Sequence, residues 1–232
     1  MGASSKTPSD IMRATSVANT PAWYSPLAHF TSTVGIGIAT MAVAIFQISD
    51  VSWPEAIFTP LATFIFANFV EWWLHKEVMH RPRRFLSAVF NAHTRRHHVI
   101  YTMADMSIRE KIEWRFVLIS AREFAGVVAI ATIVALAVGL IFGSNVGFLA
   151  LFTQAAYVTV YELTHLAYHL PEKHFVRSIP FINCLGEHHA RHHDLGLMGR
   201  WNFNITFPLA DLVLGTLASQ TLVTKRKSAY RM

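Results

Sequence analysis

The sequence predicts an all-α integral membrane protein, with four transmembrane helices arranged as two hairpins and a histidine-rich cap on the cytoplasmic side. Three observations predict this architecture. The chain of 232 residues is 53% hydrophobic but only 15% charged, whereas soluble domains carry about 25% charged residues. The apolar residues are concentrated in four blocks, and the positive charges lie outside those blocks. This composition excludes a disordered chain and argues against an ordinary soluble protein.

Each apolar block has the length of a membrane-spanning helix, which needs about 20 mostly apolar residues. A short loop around Asp50 separates the first two blocks, and another around Gly143 separates the last two. These short connections predict that the blocks form two helical hairpins. The predicted spans are Phe30–Ile48, Pro54–Leu74, Phe124–Phe142 and Val146–Leu163.

Lysine and arginine are confined to three regions of the chain. All 20 lie before Ala14, between Lys76 and Arg122, or after Glu172. The positive-inside rule predicts that these three regions, and therefore both termini, are cytoplasmic. The net charge of +6 then reflects membrane topology, and we do not expect a nucleic-acid partner.

The chain divides into a polar N-terminal tail (1–29), a membrane domain (30–222) and a basic C-terminal tail (223–232). Polar residues and a proline interrupt the apolar stretch Trp201–Leu222, so we predict that it lies at the membrane interface and is not a fifth span. The start of the chain lacks the apolar core of a secretory signal. A single cysteine, Cys184, excludes an intrachain disulfide.

Histidine is unusually frequent, with 13 in the chain. Two of them, His29 and His174, stand alone, and we predict structural roles for these. The other eleven form four groups, each predicted to adjoin the cytoplasmic side of the membrane, and this convergence indicates metal binding. The groups are HKEVMH (His75, His80), HTRRHH (His93, His97, His98), HLAYH (His165, His169) and HHARHH (His188, His189, His192, His193).

The spacing within the groups suits shared metal ions. Residues three or four apart lie on one face of a helix, as do His165 and His169. His75 and His80 are five apart and diverge by about 140° on an α-helix, so they either serve different ions or the helix ends between them. Ten or so converging imidazoles exceed the needs of one ion and predict two. Imidazole suits iron, zinc, copper and nickel, but a structural zinc site takes four ligands.

At these residues the sequence resembles the fatty acid hydroxylase superfamily, which includes sterol desaturases. The resemblance covers roughly Ile57 to Thr216 and comprises four histidine boxes in order, with two spans before the first box and two between the second and third. The stretch NFNITFPLADLVLGT (202–216) is similar to the segment after the last box in that family. The first box also resembles that of carotenoid ring hydroxylases.

The resemblance implies an O2-dependent non-haem di-iron oxygenase with two iron ions, which hydroxylates an unactivated C–H bond of a fatty acyl chain or related lipid. It also implies a separate electron donor, a ferredoxin or a small cytochrome with its reductase. Arg83, Arg84, Arg95 and Arg96 are candidate docking charges. The implied ligands are His75, His80, His93, His97, His98, His165, His169, His189, His192 and His193.

The second histidine box differs in spacing from that of fatty acid hydroxylases, and the fourth contains an additional histidine. The second has three residues between His93 and the histidine pair, where fatty acid hydroxylases have two. In the fourth, either His188 or His189 leads, and the two-residue gap before His192 favours His189, leaving His188 as an extra candidate ligand. Candidates for orienting the ligands through their second ring nitrogen are Glu162, Glu187, Asp194, Asn204 and Asp211.

The sequence also allows alternative functions. Within the same superfamily these are a carotenoid or sterol hydroxylase and a desaturase. From a different class comes a non-catalytic membrane metal-binding or transport protein, which needs polar groups along its spans. The second span has Glu71 near its end and the fourth has Glu162 near its end; neither forms a path through the membrane, which disfavours transport.

Overall fold

The structure is a computed structural model that describes residues 6–219. The predicted basic tail (223–232) and the last residues of the predicted membrane domain lie outside the described residues. Within residues 6–219 the regular structure is helical, with one isolated β-bridge between Thr102 and Asp105. The α-helices are α1 (Pro8–Ala18), α2 (Pro26–Phe46), α3 (Trp53–Leu74), α4 (Ser87–Phe90), α5 (His98–Ile100), α6 (Ala121–Phe142), α7 (Ser144–Tyr168), α8 (Pro180–His192) and α9 (Leu209–Val213).

The four membrane spans predicted from the sequence are confirmed as helices long and apolar enough to cross a bilayer. They cover Pro26–Phe46, Trp53–Met79, Lys111–Phe142 and Ser144–Tyr168. The described part of the stretch predicted to lie at the interface contains only the five-residue helix α9. The predicted N-terminal tail contains α1, which begins with a capping box between Thr7 and Asp10.

The chain folds as two compact units. The bundle unit comprises Trp23–Phe69 and Lys111–Leu166, and the histidine unit comprises the described residues of Met1–Ala22, Val70–Glu110 and Ala167–Met232. The bundle unit therefore contains most of the spanning helices. The histidine unit contains α1, the last turn of α3, α8 and α9.

Small residues bring the helices of the bundle unit together. Ala44, Ala135 and Leu151 form a buried apolar cluster between α2, α6 and α7, and a side chain at Gly37 of α2 would collide with Thr159 of α7. At the loop end, the Asn145 side chain accepts a hydrogen bond from Ser49 N (3.2 Å) and donates one to Ser49 O (2.6 Å). Both short interhelical loops, which contain no lysine or arginine, therefore lie at one end of the bundle unit.

We expect Gly147→Ala to destabilise the α6–α7 pair. A Cβ at this position would lie 2.8 Å from both Ala135 O and Gly139 Cα, and backbone atoms cannot move aside as a flexible side chain can. Such overpacking typically costs about 1–3 kcal/mol. Thermal unfolding of the purified protein in detergent measures the loss. Gly126→Ala is the matched control, because nothing lies within 4 Å of its Cβ position; equal midpoints for the two variants would contradict the prediction.

The histidine unit has its own core of large buried side chains. Tyr101, Tyr168, Phe203 and Ile205 are fully buried, and the Tyr168 hydroxyl donates to Ile205 O at 3.1 Å. This core fixes two irregular segments, 100–108 and 201–206, whose backbone faces the histidines.

Candidate metal centre

A π-helical turn at His75–Met79 continues directly from α3. In this turn His80 N donates to His75 O at 3.1 Å, a bond that spans five residues where an α-helix spans four. Residues five apart consequently lie on one face, and the His75 and His80 rings are 5.0 Å apart between centroids. The divergence expected for an α-helix therefore does not occur, and the two histidines face the same space.

A second π-helical turn, Asn91–His97, repeats this arrangement. The backbone N–H of His98 reaches His93 O, and the two side chains meet with their Nε2 atoms 3.1 Å apart. His93 is thus paired with the histidine five residues later. His97, four residues after His93, contributes to a different group.

The first group, called site A, consists of His75, His80, His93, His98 and His192. One ring nitrogen from each lies within 4.8 Å of those of the others. The Nε2 atoms of His75 and His93 are 2.9 Å apart, as are those of His80 and His192. Two π turns and the end of α8 therefore deliver five imidazoles to one point.

The second group, called site B, consists of His97, His169, His189 and His193. The potential ligand atoms of the first three lie within 4.8 Å of one another. His193 joins them because its Nε2 is 3.0 Å from His189 Nε2, as expected for residues four apart in sequence. His165 is buried on α7, four residues before His169, which follows the last residue of that helix. Sites A and B adjoin, because the His98 and His193 rings stack with centroids 4.2 Å apart.

Backbone carbonyls fix the orientation of four of these rings. A carbonyl oxygen only accepts, so the Nδ1 atom that faces it carries the hydrogen, and Nε2 of the neutral ring keeps its lone pair. In this tautomer Nε2 can bind a metal, while the hydrogen bond from Nδ1 to the carbonyl fixes the orientation of the ring. The pairs are His75 with Phe203 O, His169 with Met106 O (2.7 Å), His192 with Trp201 O (2.9 Å) and His193 with Tyr101 O (2.6 Å).

A hydroxyl fixes the orientation of a fifth ring. Thr94 Oγ1 donates its hydrogen to Met79 O at 2.6 Å, so it can only accept from Nδ1 of His80, 3.2 Å away. The lone pairs of His80 and His192 Nε2 therefore face each other at 2.9 Å. Two lone pairs cannot form a hydrogen bond with each other, but they can share a cation. The donor set of site A thus fits a bound metal ion.

Burial keeps the rings of site A uncharged. It lowers the pKa values of His93, His98 and His192 well below the usual range, and the neighbouring histidines lower them further. The same causes lower the pKa of His80 to about 2. Metal binding requires neutral imidazole, so these residues are in the ligand-competent form near neutral pH.

In metal-free protein, we expect acid to destabilise the fold. An unfolded histidine takes up a proton near pH 6.5, but folded His80 does so only near pH 2, so between these values the unfolded chain binds more protons. Stability is fully present above about pH 6.5 and falls by roughly 1.4 kcal/mol per histidine for each pH unit below it. Thermal unfolding of chelator-treated protein near pH 7.5 and pH 5.5 measures this. His80→Gln should weaken the pH dependence, and equal midpoints at both pH values would contradict the prediction.

His188 lies outside both sites. Its ring faces Asp211, with Nε2 3.4 Å from Oδ2, and its carbonyl accepts from the Asn202 side chain at 2.9 Å. His189, the next residue, belongs to site B. The isolated histidines also have hydrogen-bonding roles: His29 bonds Ile119 O at 2.8 Å, and His174 accepts from Val176 N at 3.3 Å.

Asp211 acts on the site through the backbone. Its carboxylate accepts hydrogen bonds from Phe203 N (2.9 Å), Asn204 N (2.8 Å) and the Thr216 hydroxyl (2.6 Å). Asn204 returns one bond, since its side-chain oxygen accepts from Asp211 N at 3.1 Å. Together they hold the segment that offers the Phe203 carbonyl to His75.

The other predicted orienting carboxylates have different surroundings. Asp194 is buried and accepts from Gly196 N (2.8 Å) in the turn after α8. Glu187 is exposed and lies 3.7 Å from Arg191. Glu162, in the bundle unit, accepts from Ile119 N at 2.9 Å.

Sequence reasoning missed the groups that orient the rings. The carbonyls of Tyr101, Met106, Trp201 and Phe203 leave no mark in the sequence, because every residue has a carbonyl. Thr94 gives no signal either. Glu71, an ionisable group near the end of a predicted span, binds the 201–206 segment: it accepts from Ile205 N, from Thr206 N at 3.2 Å and from the Thr206 hydroxyl at 2.6 Å.

Comparison with protein families gives a match between residues 60–216 and the model for fatty acid hydroxylases. The matched range contains the predicted histidine boxes and the 201–206 segment. Searches of curated proteins and of solved structures give no significant match.

Proposed function

Because this chain belongs to the fatty acid hydroxylase family, we propose that it is a membrane-bound non-haem di-iron oxygenase that hydroxylates an unactivated C–H bond of a lipid. The substrate would be a fatty acyl chain or a related lipid, and O2 and external electrons the co-reactants. The facing lone pairs of His80 and His192 carry the proposal, since they can share a cation. Sites A and B, each with several imidazoles, support two iron ions.

The iron pair would supply the activation of O2 that breaks a C–H bond. The residues of the chain hold the ions and exclude water. His75, His80, His93, His98 and His192 would bind one ion, and His97, His169, His189 and His193 the other. The ring hydrogens stay on Nδ1 of the carbonyl-bound histidines, so Nε2 remains available for the metal. Burial of His97, His98, His189 and His193 keeps bulk water from the centre.

Electrons would come from a ferredoxin or a small cytochrome with its reductase, docking on the basic cytoplasmic surface. Arg84 and Arg95 are exposed and suit this role. Arg83 pairs with Glu77 at 2.8 Å, which reduces its availability. The distribution of lysine and arginine supports a cytoplasmic placement of both termini and of the histidines in this proposal.

The test is an untargeted lipid mass spectrum of cells that express the wild type or His192→Ala, each with a supplemented electron donor. We expect a lipid that gains one oxygen atom only with the wild type, and this atom should carry the label when isotopic O2 is supplied. A lipid that instead loses two hydrogens would indicate a desaturase, and the identity of the lipid separates acyl, sterol and carotenoid substrates. Unchanged lipids with transport of iron across vesicles would overturn the oxygenase proposal.

A further inference from the structure

Helix α1 lies outside the residues matched by the family model, which begin at 60, yet it buries a charged side chain. Arg13 is only 4% exposed. Burying a guanidinium is costly unless it is paired and hydrogen-bonded, so its partners indicate what the helix stabilises.

The partners of Arg13 belong to the segment that follows the second histidine box. Nη1 donates to Ser107 O at 3.2 Å and Nη2 to Ile100 O at 3.3 Å. The guanidinium carbon lies 5.1 Å from the centroid of the Tyr101 ring. Ser9, one turn earlier on α1, donates to the same Ile100 carbonyl at 2.8 Å. Arg13 therefore joins both ends of the segment 100–107 to α1.

This segment carries two carbonyls that orient rings in site B. Tyr101 O accepts from His193 Nδ1 at 2.6 Å, and Met106 O accepts from His169 Nδ1 at 2.7 Å. The fully buried Tyr101 ring also packs against His169, with centroids 4.6 Å apart. In site A, by contrast, the carbonyls come from Phe203 and Trp201.

We propose that Arg13 is a positioning residue for site B: it fixes the segment 100–107 so that the Tyr101 and Met106 carbonyls direct Nε2 of His193 and His169 toward the metal. The role of Arg13 rests on the proposed function only because it requires that site B binds a metal ion. Arg13 acts through the backbone of this segment, and its effect is on the affinity for one of the two ions.

The test is an anaerobic ferrous-ion titration of the chelator-treated full-length protein in detergent. The wild type should bind two ions per chain. Arg13→Gln should bind one ion with near-wild-type affinity and the other 10–100-fold more weakly. This is the usual loss of metal affinity when the groups that orient a metal ligand are disturbed. Arg13→Lys should lie closer to Arg13→Gln than to the wild type, because one ammonium cannot reproduce the planar fork that reaches two carbonyls.

Arg109→Gln is the matched control. Arg109 also links α1 to this segment, through Asp10 (3.0 Å) and Asp105 (3.1 Å), but it is exposed and these contacts are with side-chain carboxylates instead of backbone carbonyls. It should leave both affinities unchanged, even if it lowers the unfolding midpoint slightly. A parallel loss in both arginine variants would reduce Arg13 to a general stabiliser of α1 and overturn the proposal.

Ser9→Ala covers the case in which Arg13→Gln does not fold, because it removes a single hydrogen bond to Ile100 O. It should weaken the second ion alone by a smaller factor, and unchanged binding in this variant would overturn the proposal. A wild type that binds no metal would instead refute the proposed function. A wild type with two ions, together with an Arg13→Gln protein that binds both normally, would refute only the role of Arg13.

Discussion

Replacing His189 with alanine is expected to abolish product formation, whereas alanine at the adjacent His188 should leave it close to the wild-type level. His189 Nε2 lies 3.3 Å from His169 Nε2 and 3.0 Å from His193 Nε2, so its loss removes the ring that joins two others in site B. Loss of a group that hydrogen-bonds to a metal ligand typically lowers metal affinity or activity 10–100-fold. We expect loss of the ligand itself to lower product yield by more than about 100-fold. Product yield and iron content per chain are the measurements.

His188→Ala is the internal control for this experiment. It removes an imidazole of the same size from the same turn of α8, but that imidazole faces Asp211. Its effect should be limited to a lower unfolding midpoint, with near-normal iron content. If His188→Ala lost iron and His189→Ala kept it, the assignment of the last histidine box would be reversed.

Glu71→Leu is expected to have the second-largest effect, through a collapse of the 201–206 segment. The buried carboxylate accepts from Ile205 N, Thr206 N and the Thr206 hydroxyl. Leucine would leave these donors without their acceptor, at about 1–3 kcal/mol for each buried group left unsatisfied. The Phe203 carbonyl that orients His75 lies in the same segment. We therefore expect a lower unfolding midpoint together with loss of iron, measured on the same preparation.

Glu71→Gln separates hydrogen bonding from charge. The glutamine oxygen can still accept from both backbone N–H groups, and its amide can donate to the Thr206 hydroxyl oxygen. This variant should keep most of its iron. If Glu71→Leu retained wild-type iron content and stability, the 201–206 segment would not depend on Glu71.

The helical membrane architecture was predictable because hydropathy and charge act over long stretches. A run of about 20 mostly apolar residues has few alternatives to a membrane span, and α2, α3, α6 and α7 lie where the sequence predicted them. Helix α1 was missed as a structural element because a short polar helix resembles a tail in composition. Its burial depends on Arg13, whose partners lie about 90 residues away in sequence.

The site was predictable as a set of histidines, but its geometry was not. The two π turns reverse the expectation from α-helical spacing: His75 with His80, and His93 with His98, lie together although they are five residues apart. A π turn depends on tertiary contacts that hold an otherwise rare hydrogen-bond pattern. The same holds for the ring orientations, which depend on distant backbone segments.

The use of main-chain oxygens behind the histidines affects how freely this protein can vary. A carbonyl persists whatever side chain its residue bears, so Met106 and Trp201, both partly exposed, can be exchanged without altering the chemical group that sets the tautomer of His169 or His192. Mutational drift or directed evolution can therefore reshape the surroundings of the histidines at these positions while the ring orientations are inherited unchanged. A centre oriented by carboxylates would lose its ligand orientation with a single substitution.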